Sequence, residues 1–150
     1  MAFFLHLSDT EIAWIAGLLE GEGSFSFDKR PSKRYKVSTA PPAPTIQISM
    51  IDEDVIKYLA NLLNKKYSEV GRRTVKNKPV YKLNVRDRET LSYLLPCILP
   101  YMGKRRSEQI QKGIDSLNAW KKWKDEGGRS LMAKEGSKVL FNRPEKEEEK

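Results

Sequence analysis

The chain has 150 residues, with 28 Lys and Arg against 20 Asp and Glu, a formal net charge of +8, one His and one Cys. That length supports one domain with a real core rather than two; a lone Cys excludes a disulfide framework, and one His with one Cys cannot complete a structural zinc site. No apolar run approaches the roughly 18 residues of a membrane span, and the opening MAFFLHLSDTEIAW lacks a basic stretch and a clear cleavage site, so an intracellular protein is expected, cytoplasmic or, in a eukaryote, organellar.

Ser8-Asp9-Thr10-Glu11 has the form of a capping box. Behind it Ile12, Ile15, Ala16 and Leu19 recur at helical spacing, and Gly21 or Gly23 supplies the stop, which predicts a helix over about 9–20. Ser24 to Asp28 alternates as a half-buried strand, runs into a basic stretch from Lys29 to Lys36, and gives way to Pro41-Pro42-Ala43-Pro44. Thr45 to Met50 alternates again. Asp52 is placed to cap a second helix with Val55, Ile56, Leu59, Leu62 and Leu63 as its apolar stripe. Tyr67 to Val75 and Val80 to Arg86 then read as a hairpin around Lys76-Asn77-Lys78-Pro79. Asp87 caps a third helix (Leu91, Leu94, Leu95, Ile98), and a fourth starts near Lys104 with Ile110, Ile114, Leu117 and Trp120. The fold class expected is α+β, an αββαββα core with a four-stranded antiparallel sheet and its helices on one face. This domain spans 1–126. Residues 127–150 are expected to be a weakly patterned extension ending in a charged, flexible run.

Charge is distributed unevenly along this order. Residues 1–23 carry four acids and no base, whereas residues 24–88 carry fifteen bases and six acids, more net positive charge than the whole chain. A sheet with helices on one face leaves the other open, and alternation assigns to it Ser26, Asp28, Arg30, Thr45, Gln47, Ser49, Lys82, Asn84 and Arg86. Such a face is either ordinarily solvated or laid along nucleic acid, with Lys and Arg on phosphates and Ser, Thr, Asn and Gln at base edges. The scarcity of aromatics there favours duplex DNA over single-stranded RNA.

In the first helix Ala13, Gly17 and Gly21 form a ridge with almost no side chain, although glycine inside a helix costs ~1 kcal/mol relative to alanine. Such a ridge admits a closely packed helix, from the same chain or from a second copy across a twofold axis. Glu20 and Glu22 end the helix, where the macrodipole disfavours acids. In a chain so poor in His and Cys, carboxylates there can hold Mg²⁺ or act as general base. A twofold dimer through the ridge would bring two copies of Glu22 together, as two-metal phosphodiester hydrolysis requires.

Ile15-Ala16-Gly17-Leu18-Leu19-Glu20-Gly21-Glu22-Gly23 resembles the nine-residue LAGLIDADG motif of the homing endonucleases, and the order of elements over about residues 8–120 is similar to that family's core. The resemblance implies a saddle-shaped sheet on double-stranded DNA. With one motif copy it implies a homodimer packed through Ala13, Gly17, Leu18 and Gly21, acting on a long pseudo-palindromic target. It makes Glu22, with Gly21, the metal ligand for Mg²⁺ (or Mn²⁺), where the family more often has Asp, and Glu20 more often structural or capping. It also points to Gln47 and Lys104, with Arg105 as the alternative cation, as catalytic residues around the metal. The residues expected to touch DNA are Ser26, Lys29, Arg30, Arg34, Lys36, Thr45, Gln47, Ser49, Arg72, Arg73, Lys76, Lys78, Lys82, Asn84 and Arg86. The function expected is a site-specific, intron-encoded double-strand DNA endonuclease. The alternative is a relative that binds DNA or RNA without cutting, such as an intron-splicing maturase or a transcription factor. His6, Cys97, the Trp120–Trp123 segment and Asp52-Glu53-Asp54 are expected to be structural.

Overall fold

The computed structural model describes residues 5–28, 40–70 and 78–127. Helix α1 (Asp9–Glu22) opens on the expected box: the Ser8 hydroxyl accepts from the Glu11 amide at 3.1 Å, and the Glu11 carboxylate accepts from the Ser8 amide at 2.8 Å. The helix runs to Glu22, two residues beyond the expected end, and passes directly into β1 (Gly23–Asp28). Gly23 makes that switch possible, because a Cβ there would stand 2.8 Å from the Leu19 carbonyl oxygen.

Strand β2 (Ala43–Met50) starts earlier than the prolines suggested. Pro44 is tolerated because pairing of β2 with the strand on its other side stops at Ile46, so no ladder bond on that side is lost at Pro44. Helix α2 (Glu53–Leu63) buries Ile56, Leu59, Ala60 and Leu63. Asp52 holds its N-cap position, but its side chain makes no capping bond, contrary to the role expected of it. The second hairpin is β3 (Ser68–Val70) and β4 (Val80–Val85), followed by α3 (Arg88–Ile98), a single 3₁₀ turn over Leu99–Tyr101, and α4 (Lys104–Asp125). Asp87 does cap α3, accepting from the Thr90 amide at 3.0 Å, and it also pairs with Lys65 at 2.6 Å.

The four strands lie in the order β1-β2-β4-β3, all antiparallel, so the two hairpins join through β2 and β4 at the centre. Register fixes the faces. Phe25, Ile46 and Val85 line up on one side, as do Gly23, Ile48 and Leu83, and these meet the apolar stripes of all four helices in one core. The stripes of α1 and α3 are buried as expected, with Ile12, Ile15, Ala16 and Leu19 in one and Leu91, Leu94, Leu95 and Ile98 in the other. In α4 the sequence pattern overlooked Gly113, which is buried and lets the helix close on its neighbours: a Cβ there would lie 3.1 Å from Leu95 and 3.3 Å from Pro44. Ser116 further ties α4 to the start of β2 by donating to the Pro42 carbonyl. Cys97 is half-buried against the core, and Trp120 lies half-buried under the Arg88 guanidinium, 4.1 Å from its ring centre, in keeping with structural roles. No helix among the described residues is long and apolar enough to cross a membrane.

Candidate functional site

Helices cover one face of the sheet and leave the other polar. Across it the register draws rows: Ser24, Gln47 and Asn84 lie abreast on β1, β2 and β4, and Ser49, Lys82 and Ser68 form a second row on β2, β4 and β3. Ser26 and Thr45 face one another on β1 and β2, their hydroxyls 2.8 Å apart. Ser26, Asp28, Thr45, Gln47, Asn84 and Arg86, with Phe27, line one shallow polar depression. The open-face residues expected from alternation therefore do share a surface where the structure describes them. Ser24 was missed, although the same alternation that selected Ser26 includes it.

The cations divide differently. Lys82 and Arg86 lie on or just beyond β4, and Lys78 is exposed just before it. Lys29, Arg30, Arg34, Lys36, Arg72, Arg73 and Lys76 fall outside the described residues, in the stretches of sequence joining β1 to β2 and β3 to β4.

The end of α1 lies beside the first of these rows. Glu22 is its last residue, exposed, and its carboxylate has no hydrogen-bond or ion-pair partner among the described residues. Two residues on, Ser24 pairs with Gln47, so the strand register brings Gln47 next to the carboxylate-bearing helix end. Lys104 approaches from elsewhere in the chain. It is the first residue of α4, exposed, and its predecessor Gly103 donates its amide to Glu20 at 2.9 Å. Gln47 thus lies across from the residue two positions after Glu22, and Lys104 follows the residue whose amide Glu20 accepts, two positions before Glu22. Arg105 is exposed beside Lys104.

A hard divalent cation takes about six oxygen ligands. Glu20 is already engaged by Gly103, and among the described residues no group of three or more acidic, His or Cys side chains could hold a metal. Glu22 and nearby backbone carbonyls such as that of Gly21 are oxygen donors of the chemistry a hard cation takes.

The ridge of α1 bears on the alternatives that the sequence left open. Ala13, Gly17 and Gly21 are all exposed, and a Cβ built on Gly17 or Gly21 would meet nothing within 4 Å. Among the described residues no helix of the chain packs closely on Gly17 or Gly21. Leu18 is half-buried and packs on the core. Beside the ridge, Trp14 (36% exposed) meets Tyr58 of α2 (47% exposed) edge to face with ring centres 4.8 Å apart. The apolar stripe of α2 omits Tyr58, and Trp14 lies off that of α1, which is why sequence periodicity gave no sign of this pair.

The LAGLIDADG endonuclease family model matches residues 15–122. Among solved structures, the fold is similar to that of the homing endonuclease I-CvuI, solved in complex with the I-CreI target in the presence of Mg (TM-score 0.54, 15% identity, 83% of this chain and 76% of that one). It is similar also to the homing endonuclease I-TnaI (TM-score 0.50, 19% identity, 75% and 73% covered). A third likeness is to the group I intron-encoded homing endonuclease I-CeuI complexed with DNA (TM-score 0.57, 13% identity, 83% and 61% covered). At such identities the likeness is one of fold. No curated protein sequence matches the chain.

Proposed function

The chain belongs to the LAGLIDADG endonuclease family, and on that premise we propose that it is a site-specific double-strand DNA endonuclease that works as a homodimer with divalent metal. The observation that carries this reading is the ridge of α1, which the described residues leave uncovered and which ends in a Glu22 with no partner among them. Two glycines on a helix face that the described residues leave bare are best used when another helix packs there. A second α1 across a twofold axis satisfies this and brings two Glu22 carboxylates together.

Glu22 and the Gly21 carbonyl would hold Mg²⁺, for which Mn²⁺ can substitute; when bound, the metal stabilises charge on the attacking and leaving oxygens of the phosphodiester. Around it the chain supplies orientation and charge. Gln47, in register beside the helix end, orders water with its amide, a neutral group that can both donate and accept. Lys104 brings a positive charge to the phosphate from the start of α4. On the sheet, Lys82 and Arg86 neutralise phosphates, while Ser24, Ser26, Thr45, Ser49 and Asn84 present short polar groups to base edges in the groove. The cations of the strand connections, Lys29, Arg30, Arg34, Lys36, Arg72, Arg73 and Lys76, extend this contact along the backbone.

The test is cleavage of a duplex selected from a library built around the gene's own insertion site. Wild type cuts both strands with Mg²⁺, and Glu22→Gln binds the same duplex without cutting. A wild type that binds its selected duplex and never nicks it with Mg²⁺ or Mn²⁺ refutes the nuclease reading in favour of a binding-only relative.

A further inference from the structure

Acids in the last turn of a helix oppose its dipole, at a cost of ~0.3–1 kcal/mol each, yet α1 ends on two and has no base in its last turn. Glu20 escapes that position by turning onto another helix. Its Oε1 accepts from the Gly103 amide at 2.9 Å, and both carboxylate oxygens lie 3.6–3.7 Å from where a Gly103 Cβ would stand. Gly103 is the N-cap of α4. It has no side chain with which to cap, α4 has no side-chain cap of its own, and its first turn carries no acid. That turn opens instead with Lys104, Arg105 and Arg106, three cations at the positive end of a dipole. Glu20, 83 residues upstream, supplies the missing acceptor and the missing negative charge together.

We propose that Glu20 is a positioning residue, which bolts the end of α1 to the start of α4 and so fixes Lys104 relative to Glu22. The inference rests on the roles given above to Glu22 and Lys104. The bond is made two residues before Glu22 on one side and one residue before Lys104 on the other. The Lys104 side chain has no partner among the described residues, so its backbone anchor decides where it starts. Within the turn, the Ser107 amide bonds the Gly103 carbonyl at 2.8 Å and its hydroxyl the Met102 carbonyl at 3.2 Å, holding the backbone around the Glu20 contact. Glu20 need not touch DNA or metal to act.

Two variants separate the bond from the bulk. Glu20→Gln keeps an acceptor oxygen in place, whereas Glu20→Ala removes it. Misplacing a catalytic group by about 1 Å can cost roughly 10²-fold, so Glu20→Ala is expected to slow single-turnover cleavage about 10–100-fold. Duplex affinity and dimerisation stay at wild-type values, and Glu20→Gln restores most of the rate. In a Lys104→Ala background, Glu20→Ala costs nothing further, since the two residues act as one unit. A Glu20→Ala enzyme that cuts at the wild-type rate, or losses that multiply in the double variant, overturns the proposal. The clamp has a readout independent of cutting: hydrogen exchange at the Gly103 amide, protected in wild type and Glu20→Gln and fast in Glu20→Ala. Equal exchange in all three overturns it. A wild type that never cuts defeats the proposed function, while Gly103 exchange still decides the clamp.

Discussion

The ridge of α1 and the outer face of the sheet are both exposed, and they are exposed in opposite ways. The ridge has almost no side chain and ends in acid; the sheet face is a regular array of hydroxyl, amide and cationic groups. A bare ridge accommodates only a closely matched backbone, which makes it suited to a second copy of the same helix. A polar array accepts a hydrated polyanion whose phosphates and base edges repeat along its length. On the proposed function, the chain would turn one surface toward a second copy and the other toward nucleic acid, with the row Ser24, Gln47 and Asn84 beginning two residues after Glu22.

The largest effect expected from breaking this division is at the junction itself. Glu22→Gln should reduce cleavage by at least about 10³-fold, several kcal/mol of transition-state stabilisation, while a filter-binding or fluorescence titration finds unchanged affinity for the duplex. Next comes the ridge. At Gly17 a Cβ meets nothing within 4 Å among the described residues, so thermal unfolding of a Gly17→Leu monomer should not be weakened. Across the twofold axis it overpacks both helices, at ~1–3 kcal/mol for each, and sedimentation equilibrium should show dimer shifting to monomer. Gly17→Ala sharpens the contrast: the isolated helix gains ~1 kcal/mol while dimerisation weakens.

On the sheet the effects are smaller and carry a different signature. If about 8–10 phosphates are neutralised per dimer, log K falls with log salt at a slope near −7 to −9. Arg86→Ala, present twice in a dimer, should flatten that slope by about 2 and weaken all sequences alike. Asn84→Ala should instead relax discrimination at single base pairs by ~1–3 kcal/mol, read from binding to substituted duplexes. A sheet variant that dissociated the dimer, or a ridge variant that changed the salt slope of the intact dimer, would break the separation.

Away from both surfaces, Asp87 supplies a control. Burial tends to raise its carboxyl, but hydrogen bonds from Lys65 and Thr90 outweigh burial and hold it below the usual aspartate value. A carboxylate lowered in the folded state stabilises it above the unfolded pKa, and the contribution is lost as pH falls through the folded value. Asp87→Ala should cost ~1 kcal/mol at neutral pH by loss of a helix cap and make the acid limb of stability against pH shallower. DNA affinity at neutral pH should be unchanged.

Most of the fold was legible because its cues are local. The Ser8–Glu11 box, the stripes of α1 and α3 and the alternation of β2 and β4 each depend on residues a few positions apart. What escaped depended on partners remote in sequence. Asp52 carries the right side chain at the right position and makes no cap bond. Pro44 lies within a strand because pairing on one side has already ended, and Gly113 matters because Leu95 and Pro44 crowd it. The site followed the same rule. Glu22, Gln47 and the ridge are named by motif and periodicity, and the structure places them at the end of α1, on the open sheet face and on an exposed helix face. The engagement of Glu20 by Gly103, and the contact of Trp14 with Tyr58, join elements whose proximity only the assembled fold reveals.

The central claim is that one chain is half of a nuclease, completed at α1 by a second copy, and mixed dimers test it most directly. Wild type and Glu22→Gln, unfolded together in equal amounts and refolded, should pair at random, so about one quarter of the dimers carry two intact sites. Double-strand cleavage should then fall to about one quarter of the wild-type rate at equal total protein, with nicked duplex accumulating from the mixed dimers. A fall to about one half, in simple proportion to the wild-type chains present, would mean that each chain cuts alone and would contradict the account.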